Sequence, residues 1–90
     1  MKDETRRMAW IAELDRVIAA KAAKATVLIG MGVYTQAGRD AFLRWAAAYR
    51  AECMDCDATH GAPDWMGELS PATRLAAYCT VQAGIDRAKV

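Results

Sequence analysis

Hydrophobic residues recur at steps of three and four along most of the chain, which is the period of an α-helix. In the first third, one face of such a helix carries Ile11, Leu14, Ile18, Ala22, Ala25 and Ile29. Charged residues such as Glu13 and Lys24 fall on the other side. The pattern predicts an amphipathic helix over about 4–28, with the glycine pair Gly30 and Gly32 as its terminator.

A strand is the alternative for residues 26–34, because Thr26, Val27 and Ile29 are β-branched. An isolated strand needs a partner, and no second strand signal occurs elsewhere in the chain. The helix is therefore the favoured interpretation of this segment.

A second helix is predicted over about 36–59, with Thr35 as its N-cap and with Gly61 and Pro63 beyond its end. Its large or reactive side chains share an arc of about 80° at 100° per residue. They are Phe42, Trp45, Tyr49, Cys53, Cys56 and His60. This face is expected to pack on the core.

A third helix is predicted over about 71–88, because Ser70-Pro71 reads as an N-cap followed by a proline in the first turn. One stripe holds Leu75, Tyr78, Val81 and Ile85, and a smaller one holds Ala72, Ala76, Cys79 and Ala83. A helix that is apolar over most of its circumference is packed on two sides. We therefore expect self-association, with a homodimer as the commonest form.

Together these elements predict an all-α protein, a small three-helix bundle forming one domain over residues 1–90. Neighbouring helices are expected to be antiparallel, and a short extra helical turn is predicted in the second loop at Asp64-Trp65-Met66. The predicted core consists of Leu14, Ile18, Phe42, Trp45, Tyr49, Leu75, Tyr78 and Ile85.

Charge adds one asymmetry to this picture. The net charge is only +1, yet residues 51–70 hold five acids and no base. A nucleic-acid-binding domain usually shows a basic stripe, so nucleic acid is not the expected partner. The first residues are charged and no apolar stretch is long enough for a signal peptide or a membrane span. The three cysteines are an odd number, which does not suit a disulfide scaffold. Together with the missing signal-peptide pattern, this number favours a cytoplasmic location.

Cysteine and histidine supply the one set of residues that could carry chemistry. Cys53, Cys56, His60 and Cys79 match the count of a Cys3His zinc site. Burial as core cysteines is the favoured alternative, because free cysteine is among the most buried residue types; a disulfide is a third possibility. The Cys-x2-Cys pair lies near a helix C-terminus beside Asp55 and Asp57, which disfavours a reactive thiolate.

No complete catalytic, nucleotide-binding or nucleic-acid-binding motif is present, so the sequence predicts no enzyme activity and no required cofactor. By elimination it favours a non-catalytic protein-interaction module of the adaptor, inhibitor or accessory-factor type. The predicted partner-binding residues are Trp65, Met66, Asp55, Asp57, Asp64 and Glu68, which join apolar anchors to negative charge. A lid over the core is the competing role for Trp65. Two alternative functions stay open, a zinc-stabilised helical domain and a small thiol- or metal-dependent enzyme.

Overall fold

The computed structural model describes residues 2–55 and 70–89, with the side chains of residue 5 and of residues 7–55 and 70–89. Over these residues the chain forms helix α1 (Lys2–Gly30), helix α2 (Gln36–Asp55) and helix α3 (Pro71–Ala88). All three pack against one another. The predicted all-α three-helix bundle is confirmed. The predicted end of the second helix at residue 59 and the extra turn at 64–66 lie outside the described residues.

Helix α1 ends in a Schellman motif, so the strand considered for residues 26–34 is wrong. Gly32 has φ +78°, which places it in the left-handed region that favours glycine. Its N–H donates to the carbonyl of Ile29, and the N–H of Val33 donates to the carbonyl of Leu28. These two bonds satisfy carbonyls that the end of a helix otherwise leaves unpaired. Local hydrogen bonding therefore outweighs the weak β-propensity of the segment.

Helices α2 and α3 begin at the caps that the sequence predicts. The hydroxyl of Thr35 accepts from the backbone N–H of Gly38 at 3.1 Å. The hydroxyl of Ser70 accepts from the N–H of Thr73 at 3.2 Å, and Pro71 occupies the first turn of α3. Each cap pairs one of the N–H groups that a helix start leaves without a partner.

Contacts between the helices show their relative directions. Arg39 Nε donates to the carbonyl of Ala22, whereas Arg50 Nε donates to Asp15 Oδ1 at 2.7 Å. Moving forward along α2 thus means moving backward along α1, so these two helices are antiparallel. Helices α2 and α3 are also antiparallel. Trp45 contacts Asp86 near the end of α3, whereas Tyr49, further along α2, contacts Tyr78 near the middle of α3.

The core lies where the three helices meet. Its buried members are Trp10, Ile11, Leu14, Ala46, Cys53 and Leu75, with Val17, Ile18, Phe42, Tyr49 and Cys79 packed against them. Leu14 and Leu75 are completely enclosed, as predicted. Trp45 and Tyr78, both predicted core residues, are half-buried.

Placing Ile85 in the core was wrong, because this side chain is 42% exposed. Ile85 lies ten residues after Leu75 along α3. At about 100° per residue, this separation places Ile85 about 80° around the helix from Leu75, away from the core. The face of α3 that contacts the bundle instead runs through Leu75, Cys79 and Asp86.

Within the described helices, none combines the length and the hydropathy needed to cross a membrane.

Candidate functional site

The cysteine and histidine set is only partly described. Cys53 is buried in the core, and Cys79 packs against the same core with partial exposure. No disulfide joins these two residues. Cys56 and His60 lie outside the described residues, so the zinc site stays a prediction. Over residues 2–55 and 70–89, no three or more His, Cys, Asp or Glu side chains come together as a metal site.

The Cys79 thiol and the Tyr49 phenol sit in environments that disfavour their ionised forms. Burial raises the pKa of the Cys79 thiol, and the nearby ammonium of Lys21 offsets only part of this effect. Burial and the adjacent Cys53 likewise hold the pKa of the Tyr49 phenol well above its usual range. A nucleophilic cysteine requires the opposite shift. The chemistry at these positions therefore favours a structural role.

Three aromatic side chains link the helices at the middle of the bundle. Trp10 on α1 meets Tyr49 on α2 edge-on, with ring centroids 6.0 Å apart. Tyr49 meets Tyr78 on α3 at a centroid distance of 5.0 Å. Such pairs contribute about 0.5 to 1.5 kcal/mol each beyond their buried area. These ring contacts therefore join α1 to α2 and α2 to α3.

A groove of about 430 Å³ runs beside these rings between α2 and α3, and we call it the α2–α3 groove. Its lining is Tyr49, Glu52, Cys53, Arg74, Ala77, Tyr78, Val81 and Gln82. Arg74 Nε is buried there and has no hydrogen-bond partner among the described residues. The groove therefore combines an apolar floor with one incompletely satisfied cation.

Next to the groove, α3 presents an exposed apolar face that we call the α3 face. Its members are Ala77, Val81, Gly84, Ile85 and Ala88, all of which are exposed. Val81 is 60% exposed. The sequence predicted that α3 would be packed on two sides, and residues 2–55 of the structure cover only one of them.

The acidic segment, which runs from Glu52 to Glu68, is described only at its start. Glu52 and Asp55 are exposed near the end of α2, and Glu52 borders the α2–α3 groove. The other predicted partner-binding residues, Asp57, Asp64, Trp65, Met66 and Glu68, lie outside the described residues. Their role in binding stays a prediction.

Sequence reasoning missed an exposed apolar cluster at the turn between α1 and α2. Val27, Met31 and Val33 are each at least 60% exposed, and Tyr34 lies beside them. The signal was available, because Val33 and Tyr34 directly follow the glycine that ends α1 and precede the cap of α2. Apolar residues at such a position have few neighbours to cover them.

A second cavity, of about 240 Å³, opens where all three helices approach one another, and we call it the three-helix pocket. Leu28, Phe42, Leu75 and Cys79 line it, and Lys21 and Lys24 are its charged lining residues. The spacing of residues in the sequence does not predict this pocket, since its walls come from three separate segments.

Fold and surface together define the class of this protein as a small all-α three-helix bundle with uncovered apolar surface. Comparison of the chain with protein-family models, with curated proteins and with solved structures finds no match.

Proposed function

We propose that this chain is a non-catalytic protein-interaction module that self-associates through the α3 face. The observation that supports this is the run of exposed apolar positions from Ala77 to Ala88 on one side of α3. Contiguous apolar surface of this kind marks interaction sites in soluble proteins. Two charged side chains lie within this run: Asp86 accepts a hydrogen bond from Trp45 on α2 at 2.8 Å, and Arg87 donates from its Nε to the carbonyl of Ala83.

Small residues make a helix-to-helix contact feasible at this face. A Cβ added at Gly84 would meet nothing within 4 Å, so the backbone is open to a neighbour there. In an antiparallel pair of α3 helices with a two-fold axis near Val81, each Val81 meets its own copy. The same axis brings Ile85 of one copy to Ala77 of the other, beside the α2–α3 groove. Isologous pairing would thus insert two exposed side chains into two open grooves.

The size of the surface sets the expected affinity. Twelve residues of helix extend about 17 Å, and with a width of about 10 Å they cover far less than the roughly 800 Å² per partner of a standard interface. The grooves must contribute, and the dimer is expected to be weak. We expect a dissociation constant on the order of 10 µM. The corresponding binding free energy is smaller in magnitude than that of a typical permanent complex.

Sedimentation equilibrium over about 1 to 200 µM protein tests this proposal, since it spans the expected dissociation constant. Val81→Glu places a charge at the two-fold axis and should leave a monomer of 9.8 kDa at every concentration. Val27→Glu is the matched control, because Val27 is also 60% exposed but lies on α1. A wild-type monomer throughout, or equal effects of the two variants, would contradict the proposal.

The acidic segment is a second proposed surface for a basic protein partner, supported by the exposure of Glu52 and Asp55. Trp10 is buried and Trp45 is half-buried, so neither should contribute strongly to iodide-quenchable fluorescence. If Trp65 is an exposed anchor, Trp65→Phe removes a red-shifted, quenchable component of the emission. An unchanged quenching curve in that variant would remove the anchor from this surface.

A further inference from the structure

We propose that the three-helix pocket binds a small amphipathic carboxylate, with its apolar body among the helices and its carboxylate at Lys21 and Lys24. This site is separate from the α3 face and the proposal does not depend on self-association. Its ligand class follows from the lining, the charge and the volume of the pocket, taken in turn.

The lining favours an apolar ligand body. Leu75 is completely enclosed and forms part of the floor, while Leu28 and Phe42 contribute half-buried walls. The ring of Tyr34 adds a further wall, and it packs so closely over Gly38 that a Cβ at that glycine would lie 2.8 Å from the ring. An apolar ligand would remove the accessible parts of Leu28, Phe42 and Tyr34 from water.

The charge of the rim favours an anion. Lys21 and Lys24 are three residues apart on α1, so both ammonium groups lie on the same side of that helix. Among the residues that the structure describes, no acidic side chain lines the pocket. Among the ion pairs that the described residues form, none uses either lysine. Two cations that pair with no described acidic side chain, beside an apolar cavity, complement a carboxylate attached to an apolar chain.

The volume limits the size of the ligand. A cavity of 240 Å³ corresponds to about eight water volumes at roughly 30 Å³ each. A chain of about eight carbons therefore fits, and octanoate is a suitable probe. A ligand of this size is expected to bind with a dissociation constant on the order of 1 mM.

Cys79 provides a direct reporter, because it lines the pocket and is partly exposed. Its alkylation by N-ethylmaleimide can be followed at about pH 8.5, where the minor thiolate fraction reacts, by mass spectrometry of the peptide that contains it. Octanoate at several times its dissociation constant should slow this reaction at least about threefold by occupying the pocket. Octylammonium, which has the same chain and the opposite charge, should give no protection.

Two sets of variants test the role of the lining. The pair Lys21→Gln and Lys24→Gln should weaken octanoate binding by about five- to tenfold, as expected for loss of two solvent-exposed ion pairs. Lys89→Gln removes an exposed lysine away from the pocket and should change nothing. Ala76→Trp adds bulk at an exposed position of the lining and should abolish protection.

Octanoate that fails to slow the alkylation of Cys79 would overturn the proposal. Equal protection by octanoate and octylammonium would also overturn it, since the lysines would then have no role. Unchanged octanoate affinity in the double lysine variant would overturn the proposal for the same reason. Because Lys21 and Lys24 are exposed, these variants are expected to fold, and a circular dichroism spectrum checks this directly.

Discussion

Replacing Leu14 by alanine tests whether the core lies where the three helices meet. Leu14 has no exposed surface and sits among buried residues contributed by all three helices. The substitution removes three buried carbon atoms, worth about 2.4 kcal/mol at roughly 0.8 kcal/mol each. The cavity left behind adds to this loss, and measured Leu→Ala substitutions in cores cost about 3 to 5 kcal/mol. We expect a loss of about 3 kcal/mol in the free energy of unfolding.

That loss is large for a chain of this length. At about 0.05 to 0.15 kcal/mol per residue, 90 residues give a total stability of roughly 5 to 13 kcal/mol. Each kcal/mol shifts the melting temperature of such a domain by about 4 to 8 °C. Leu14→Ala should therefore melt about 12 to 24 °C below the wild type.

Urea unfolding followed by circular dichroism measures the change directly, at about 2 µM protein so that self-association contributes little. Val27→Ala is the control, because this exposed position should stay within about 0.5 kcal/mol of the wild type. A loss below about 1 kcal/mol for Leu14→Ala, or one equal to that of the control, would refute the enclosed position of Leu14.

Three further predictions concern single contacts. Trp45→Phe removes the indole N–H that donates to Asp86, and it should cost about 1.5 to 3 kcal/mol. A double-mutant cycle with Asp86→Ala that shows no coupling would contradict the contact. The raised pKa of Tyr49 means that its contribution is fully present below the unfolded-state value near pH 10 and is lost as pH rises further. Urea midpoints between about pH 8 and 11.5 should consequently fall less steeply for Tyr49→Phe than for the wild type. Gly38→Ala should leave the melting temperature unchanged or raise it, because alanine gains up to about 1 kcal/mol in a helix and the exposed tip of the Tyr34 ring can move aside. The aromatic proton resonances of Tyr34 should shift. A loss above about 1 kcal/mol in the free energy of unfolding would show that the ring is held rigidly.

Short-range physics in the sequence determined where the helices begin and end. Thr35 and Ser70 act as caps because their hydroxyls reach N–H groups three residues ahead, whatever the rest of the fold does. Gly32 closes α1 because it adopts a positive φ at little cost. The helix period likewise identified Leu14 and Leu75 as core residues, since each lies on an apolar stripe.

Burial along α3 and the make-up of the candidate sites depended on the tertiary structure. Ile85 shares an apolar stripe with Leu75 in the sequence, yet the turn of the helix carries it out of the interface and onto the α3 face. Cys53 is enclosed because α2 is rotated to place it against the core, and the cysteine spacing alone did not separate this from metal binding.

The three-helix pocket was beyond the reach of sequence spacing for the same reason. Its lysines on α1 and Leu75 on α3 are more than fifty residues apart along the chain. Periodicity specifies which side of one helix is apolar, but it contains no information on how far that side extends past its neighbours. Helix lengths, crossing positions and rotations set that extent, and they decide which apolar residues form the core and which remain open to a partner or a ligand.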